Sequence, residues 1–282
     1  MRGAWGVAVL LLWLPWEAVD AQPTDRPLRL APLPLESTEL VVRQFQPLVD
    51  HLQRRLGQPI ELVLPGFHDD VLRAFVAGEI DVAFLGPLPY LALRQMTPDA
   101  VPLVRFIGSD GQGMYRCALV AFAGEPIEPS QLVGAPVGLT QPLSTCGYLG
   151  TAAILQAVAG IDLAQTDYRY LGSHEAVALA VVAGDVVAGG VKDEFADKYA
   201  SLGLEVVAWS ERVPGVALIA NGATLPAVLI ERIRGELLAT PETTYRSWGT
   251  TLRHGMEPAV DHDFDGLRTF GDIEAIPATE GP

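Results

Sequence analysis

The sequence is short of cysteine, of basic residues and of long apolar runs. Two cysteines in 282 residues cannot by themselves build a disulfide framework or a structural zinc site. Lys and Arg number 19 against 34 Asp and Glu. No segment is basic enough to follow a phosphate backbone, which argues against nucleic acid as a partner. No segment is of low complexity, and nothing repeats often enough for a solenoid. What is present is ample core material. Hydrophobic residues make up 49% and charged ones 19%, enough for one large or two ordinary domains.

The first residues read as an export leader. Arg2 gives a positive start, Val7 to Leu14 a short apolar stretch, and Val19-Asp20-Ala21 a cleavage pattern. Residues 1–21 are therefore expected to be removed after Ala21. The apolar stretch is too short for a good membrane span, and no run of about 18 apolar residues follows it. The remaining chain is expected to be a periplasmic protein, not an integral membrane one, in a compartment that permits disulfides.

Strand and helix signals then alternate. Leu28 to Ala31, Ile60 to Leu64, Ile80 to Leu85, Val101 to Ile107 and Tyr115 to Phe122 read as strands. Leu40, Phe45, Leu48, Leu52 and Leu56 recur at helical spacing, closed by Gly57, and a second helix runs from about His68 to Ala77. Pro136 to Leu139 and Tyr168 to Leu171 are further strands, followed by helices ending near Ala159 and Ala183. This alternation predicts a mainly parallel α/β architecture. Val76 to Ala83 resembles Val182 to Gly189, each a helix end, a glycine and an entering strand. Two copies of one unit suggest two similar lobes, whose cleft would lie beyond the carboxyl ends of the strands.

Two strand-to-helix junctions carry polar residues there. Ser144-Thr145-Cys146-Gly147 opens a helix with two hydroxyls and first-turn amides, a means of holding a tetrahedral oxyanion without Lys or Arg. The plainer alternative is simple N-capping by Ser or Thr. At Gly172-Ser173-His174-Glu175, His174 either donates to an anion or is a surface histidine behind a Ser173 cap. Tyr115 opens a strand on which Cys117 shares its face.

These motifs resemble those of the periplasmic phosphate, phosphite and phosphonate-binding proteins of ABC importers. Ser144 to Leu149 is similar to the family's Ser-Thr-Ser-Gly-Tyr-Leu signature, and Gly172 to Ala176 to its Gly-Ser-His-Glu segment. Gly78 to Pro87 resembles its strand ending in Gly-Pro, and Pro258 to Phe264 its Asp-rich tail. The resemblance implies a two-lobed, type II-like periplasmic binding fold with the ligand cleft between the lobes. Residues 22–114 with 217–282 would form one lobe and 115–216 the other. It implies a small oxyanion ligand, no cofactor, no metal and no catalysis, with a membrane permease or a sensor-kinase ectodomain as partner. It places Tyr115, Ser144, Thr145, Cys146, Gly147 and His174 around the anion, Gly86 and Pro87 at the cleft, and Glu194 where an aminophosphonate binder keeps a carboxylate for the ligand's amine. Phe67 stands where that binder has a tyrosine and Val216 where it has an aspartate, which argues against an aminoalkyl ligand. Val187 replaces an aspartate of the motif, a change that bears on folding more than on binding.

Cys146 replaces the signature's second serine. With Cys117 it allows three readings: a disulfide, two inert thiols, or a pair that takes a thiophilic oxyanion such as arsenite in a sensor. A more distant alternative makes Cys146 and His174 a nucleophile and base, although no third orienting residue is evident. His254 and His262 with Asp261 and Asp263 read as a solvated acidic loop; the spacing lacks the Gly and terminal Glu of a calcium loop.

Overall fold

The computed structural model describes residues 26–124, 127–269 and 276. The expected leader and its cleavage point lie outside them. Along the chain, β1 (Leu28–Pro32), α1 (Thr38–Leu56), β2 (Ile60–Leu62), α2 (His68–Val76), β3 (Val82–Leu85), α3 (Pro87–Met96) and β4 (Ala100–Phe106) come first. Then follow β5 (Met114–Phe122), β6 (Pro136–Leu139), α4 (Tyr148–Ala159), β7 (Asp167–Tyr170), α5 (His174–Ala183), β8 (Ala188–Lys192), α6 (Asp193–Tyr199) and β9 (Leu204–Pro214). The chain closes with β10 (Ala217–Asn221), α7 (Ala227–Leu238), the single turn α8 (Glu242–Tyr245) and β11 (Met256–Pro258).

Two sheets result. One has the order β11-β4-β10-β3-β1-β2, the other β7-β6-β8-β5-β9. Each contains the same parallel triplet, β2-β1-β3 in the first and β7-β6-β8 in the second. The expectation of mainly parallel sheets needs correction. β10 runs antiparallel to β3 and β4, and β5 antiparallel to β8 and β9. The chain passes between the sheets twice, from β4 to β5 and from β9 to β10, and the crossing strands enter their new sheets in reverse. The two crossings touch where the Gly215 N–H donates to the Gly113 carbonyl at 2.8 Å.

The core follows the apolar periodicities. α1 lays Val41, Phe45, Leu48, Leu52 and Leu56 against the first sheet, and α7 adds Leu229, Ile233 and Leu237. The spacing of i, i+3 and i+4 puts them on one stripe. α3 escapes the sequence reading because its first turn holds two prolines. Pro at the first helical position is compatible with a helix, since its missing N–H would be unpaired there anyway. Among the described residues, no helix is long and apolar enough to cross a membrane.

Candidate functional site

The Ser144 and Thr145 hydroxyls do not cap α4. Its N-cap is Gly147, which has no side chain to do so. Instead the loop after β6 turns tightly, with Ser144 N–H bonded to the Gln141 carbonyl and Gly147 N–H to the Ser144 carbonyl. The next internal bonds come from Gly150 and Thr151. The amides of Thr145, Cys146, Tyr148 and Leu149 donate to nothing among the described residues. Ser144, Thr145 and Cys146 are nevertheless buried. Buried N–H groups are normally paired. Four free donors at a helix N-terminus, where the dipole favours negative charge, are chemically suited to an anion.

The other half of the molecule closes over this loop. The first free amide of α3, Leu88 N–H, donates to Thr145 Oγ1 at 3.2 Å. Gly86 packs so closely that a Cβ there would lie 3.3 Å from the same oxygen. Tyr115, buried at the start of β5, brings its hydroxyl to the same place, 3.9 Å from where a Cβ on Gly86 would lie. Burial, followed by the nearby Asp193 and Glu194 charges, pushes its phenol well above the ordinary range, so it stays protonated.

His174 opens α5 behind a true Ser173 cap, whose Oγ accepts from Ala176 N–H at 3.1 Å. It is not a surface histidine; only 5% of it is exposed. Its Nδ1 accepts the Lys192 N–H at 3.2 Å, which leaves the ring proton on Nε2. The ring stacks on Phe195 at 4.8 Å. Burial, then the Lys192 charge, lowers its pKa to about 3. His174 is thus a neutral donor. His68, at the start of α2, is likewise buried and has its pKa lowered to about 4. The sequence reading passed over it in favour of Phe67, whose side chain lies 62% exposed at the N-cap of α2. The backbone reverses into the helix there and turns His68, not Phe67, inward.

Beyond Tyr115 the cleft widens to about 570 Å³ and becomes charged. Lys192 sits 5.3 Å from the Tyr115 ring centroid and pairs with Glu194 at 3.0 Å. The second Glu194 oxygen accepts the Thr251 hydroxyl at 2.8 Å. Glu194 lines the cleft but already has two partners, and Val216 lines the same wall with a buried apolar side chain. The sequence reading did not single out Lys192, because a lysine at a strand end looks like ordinary surface.

A family model for the periplasmic substrate-binding proteins of phosphonate ABC transporters matches residues 30–264. The chain belongs to this family. Its curated relatives include the phosphate-import protein PhnD of Mycolicibacterium smegmatis, 25% identical over 299 residues that cover 94% of this chain and 91% of that one. Two solved structures share the fold, each with a TM-score of 0.77. One is a binding-protein component of a phosphonate ABC transporter from Pseudomonas aeruginosa, 16% identical, covering 87% and 86% of the two chains. The other is PhnD1 of Prochlorococcus marinus in complex with methylphosphonate, 14% identical, covering 86% and 96%.

Family membership makes the protein the substrate-binding part of an ABC transporter. The cysteine readings resolve against free thiols. Cys117 and Cys146 are joined as a disulfide with their Cα atoms 5.0 Å apart. A Cβ on Gly150 would meet Cys117 Sγ at 2.7 Å, so the first turn of α4 seats directly on the bridge. Neither sulfur is a thiolate, which removes both the arsenite-binding pair and the Cys146 nucleophile. The bridge fixes the loop before α4 to the crossing strand β5. The C-terminal acidic cluster is spent on packing: Asp261 accepts the Tyr90 hydroxyl and Asp263 the Val260 N–H. Among the described residues no group of His, Cys, Asp or Glu could hold a metal.

Proposed function

We propose that the protein is exported, loses its leader after Ala21, and captures a small tetrahedral phosphorus oxyanion for delivery to its membrane permease. Phosphate, phosphite and methylphosphonate all match the site. The observation that carries this reading is the set of amides at 145, 146, 148 and 149, unpaired among the described residues at the N-terminus of α4, three of them on the buried residues Thr145, Cys146 and Leu149. Ser144, Thr145, His174 and Tyr115 supply further donors, while Gly86 and Pro87 close the opposite wall. Each donor is neutral, so the ligand's charge is balanced by dipoles held in place before it arrives. The pairing of Glu194 with Lys192 and the apolar Val216 disfavour an aminoalkyl phosphonate. A ligand amine would have to break an existing ion pair to reach the carboxylate.

Thermal shift with phosphate, phosphite, methylphosphonate, 2-aminoethylphosphonate and arsenite tests the reading. Ligand at a hundred times its dissociation constant stabilises by about 2.7 kcal/mol. A raised Tm with the three small phosphorus oxyanions, lost in Ser144→Ala with Thr145→Ala, is expected. No shift with any phosphorus compound would remove the proposal.

A further inference from the structure

Three helices of the first half begin at the seam between the halves, and none caps itself. Ser37, Phe67 and Gly86 stand at the N-caps of α1, α2 and α3, and none of their side chains accepts a first-turn N–H. The opening amides of a helix have no partner within it. Here one amide of each helix finds a partner across the seam. Ser37 N–H donates to Glu175 Oε2 at 3.0 Å, His68 N–H to Gln141 Oε1 at 2.8 Å and Leu88 N–H to Thr145 Oγ1 at 3.2 Å. All three donors are backbone groups of the first half, and all three acceptors are side chains of the second. By contrast, α5 in the second half is capped by its own Ser173.

Of the three acceptors, Gln141 and Thr145 belong to the loop before α4. Glu175 does not, and it is not among the donors assigned to the ligand. Its Oε1 accepts the Tyr199 hydroxyl at 3.0 Å, and its Oε2 takes Ser37. A glutamate on the N–H of an N-cap residue is one arm of a capping box, supplied here from 138 residues away. Its charge suits the positive end of the α1 dipole. The same short stretch makes further contacts with the second half. Glu36 pairs with Lys198 of α6, and Leu35 packs against apolar clusters of both halves. A crevice of about 280 Å³, lined by Pro34, Ser37, Gly66, Gly172 and Ser173, lies beside these bonds. The halves therefore meet there through polar bonds next to open space.

We propose that Glu175 is a positioning residue that sets the closed state: it caps α1 only while the halves meet, and so raises affinity for a ligand it does not hold. The inference rests on the oxyanion reading for its probe, inorganic phosphate. Moving the halves apart strips α1 of its cap. The affinity of a ligand held between the halves scales with the fraction of molecules that are closed. Removing a helix cap should therefore weaken binding about 2–30-fold.

Calorimetric titration of the whole protein with inorganic phosphate tests this, with Tm and small-angle X-ray scattering on the same samples. Glu175→Ala is expected to weaken phosphate by that factor. Glu175→Gln keeps an acceptor oxygen and should recover part of the loss. Ser37→Pro deletes the donor instead. Ser37 has φ −58° and ψ 150°, and Pro226 and Pro241 take nearly the same angles at the N-caps of α7 and α8, so proline suits the position. Ser37→Pro should match Glu175→Ala, and the two together should cost no more than one, since both remove a single bond. Saturating phosphate should return each variant to the radius of gyration of the unaltered protein. Unchanged affinity in both Glu175→Ala and Ser37→Pro, or losses that multiply in the double variant, would overturn the role of Glu175 and leave the oxyanion site standing. If the unaltered protein binds no phosphate, the oxyanion reading falls and ligand-free scattering decides for Glu175. Both variants should then be wider than the unaltered protein, and equal radii would overturn the proposal.

Discussion

The two helix–glycine–strand units share a backbone and differ in what their polar groups do. Gly78 and Gly184 both take positive φ, at 73° and 79°. Gly78 bonds back to Phe75 and Glu79 to Ala74; Gly184 bonds back to Val181 and Asp185 to Ala180. Asp81 N–H donates to the Arg29 carbonyl as Val187 N–H donates to that of Pro136. The side chains then part company. Asp81, fully buried, accepts from Arg26, from the Arg29 side chain and amide, and from Thr224. These bonds hold its carboxyl well below the usual range despite burial. Val187 anchors nothing and is partly exposed. At Asp81 the first half uses a buried polar group to join its own segments. In the second half, the amides after a strand end are unpaired among the described residues.

The largest effect should come from breaking the saturated half. Asp81→Ala leaves Arg26 and Arg29 without their carboxylate and should cost about 3–5 kcal/mol in denaturant unfolding. The oxyanion affinity of the folded fraction should not change. A loss of affinity at full stability would show that the two halves are not divided in this way.

Opening the disulfide comes next. Cys117→Ser with Cys146→Ser removes a bridge spanning 29 residues and should cost about 2–4 kcal/mol. Here affinity should fall as well, because the amide loop loses its tie to β5. Titration with and without reductant checks this on the unaltered protein.

Acid acts on one buried imidazole in each half. His68 and His174 have folded pKa values lowered to about 4 and about 3, against about 6.5 when unfolded. Below pH 6.5 the unfolded chain takes up protons that the folded chain refuses. Their contribution is therefore complete above about 6.5 and is lost as pH falls toward 4 and 3. The slope is up to about 1.4 kcal/mol per pH unit for each imidazole. Asp81 adds to the loss only below the ordinary carboxylate range, since its folded pKa is depressed. Replacing both histidines by phenylalanine should flatten unfolding between pH 6.5 and 4. The smallest effect is expected from Val187→Asp, within about 0.5 kcal/mol, because no arginine pair faces it and the site is part exposed.

Much of this was legible in the sequence because it is local. The α1 stripe, the glycines at 57 and 184 and the strand at Pro136–Leu139 follow from periodicity and capping chemistry. Ser144 and Thr145 stand out by their place after a strand. What was not legible depends on chain direction and side-chain reach. Crossing strands enter a sheet in reverse only because the chain changes lobes, and nothing in the composition of β5 or β10 encodes that. Phe67 was chosen from the resemblance, as the residue standing in place of a tyrosine, although the helix start at His68 was itself legible. A signal was available: Gly-x-His-acid at Gly66–Asp69 recurs at Gly172–Glu175, in register with the repeat already visible at Gly78 and Gly184. The pairing of Cys117 with Cys146 stayed open because two thiols on facing elements suit a bridge or a ligand equally.

The central claim is that the unpaired amides at the start of α4 grip the ligand. Amide proton NMR during titration with inorganic phosphate measures it directly. Large downfield shifts at Thr145, Cys146, Tyr148 and Leu149, saturating together with the binding isotherm, are the predicted result. Saturable phosphate binding that leaves those four amides unmoved would contradict the account.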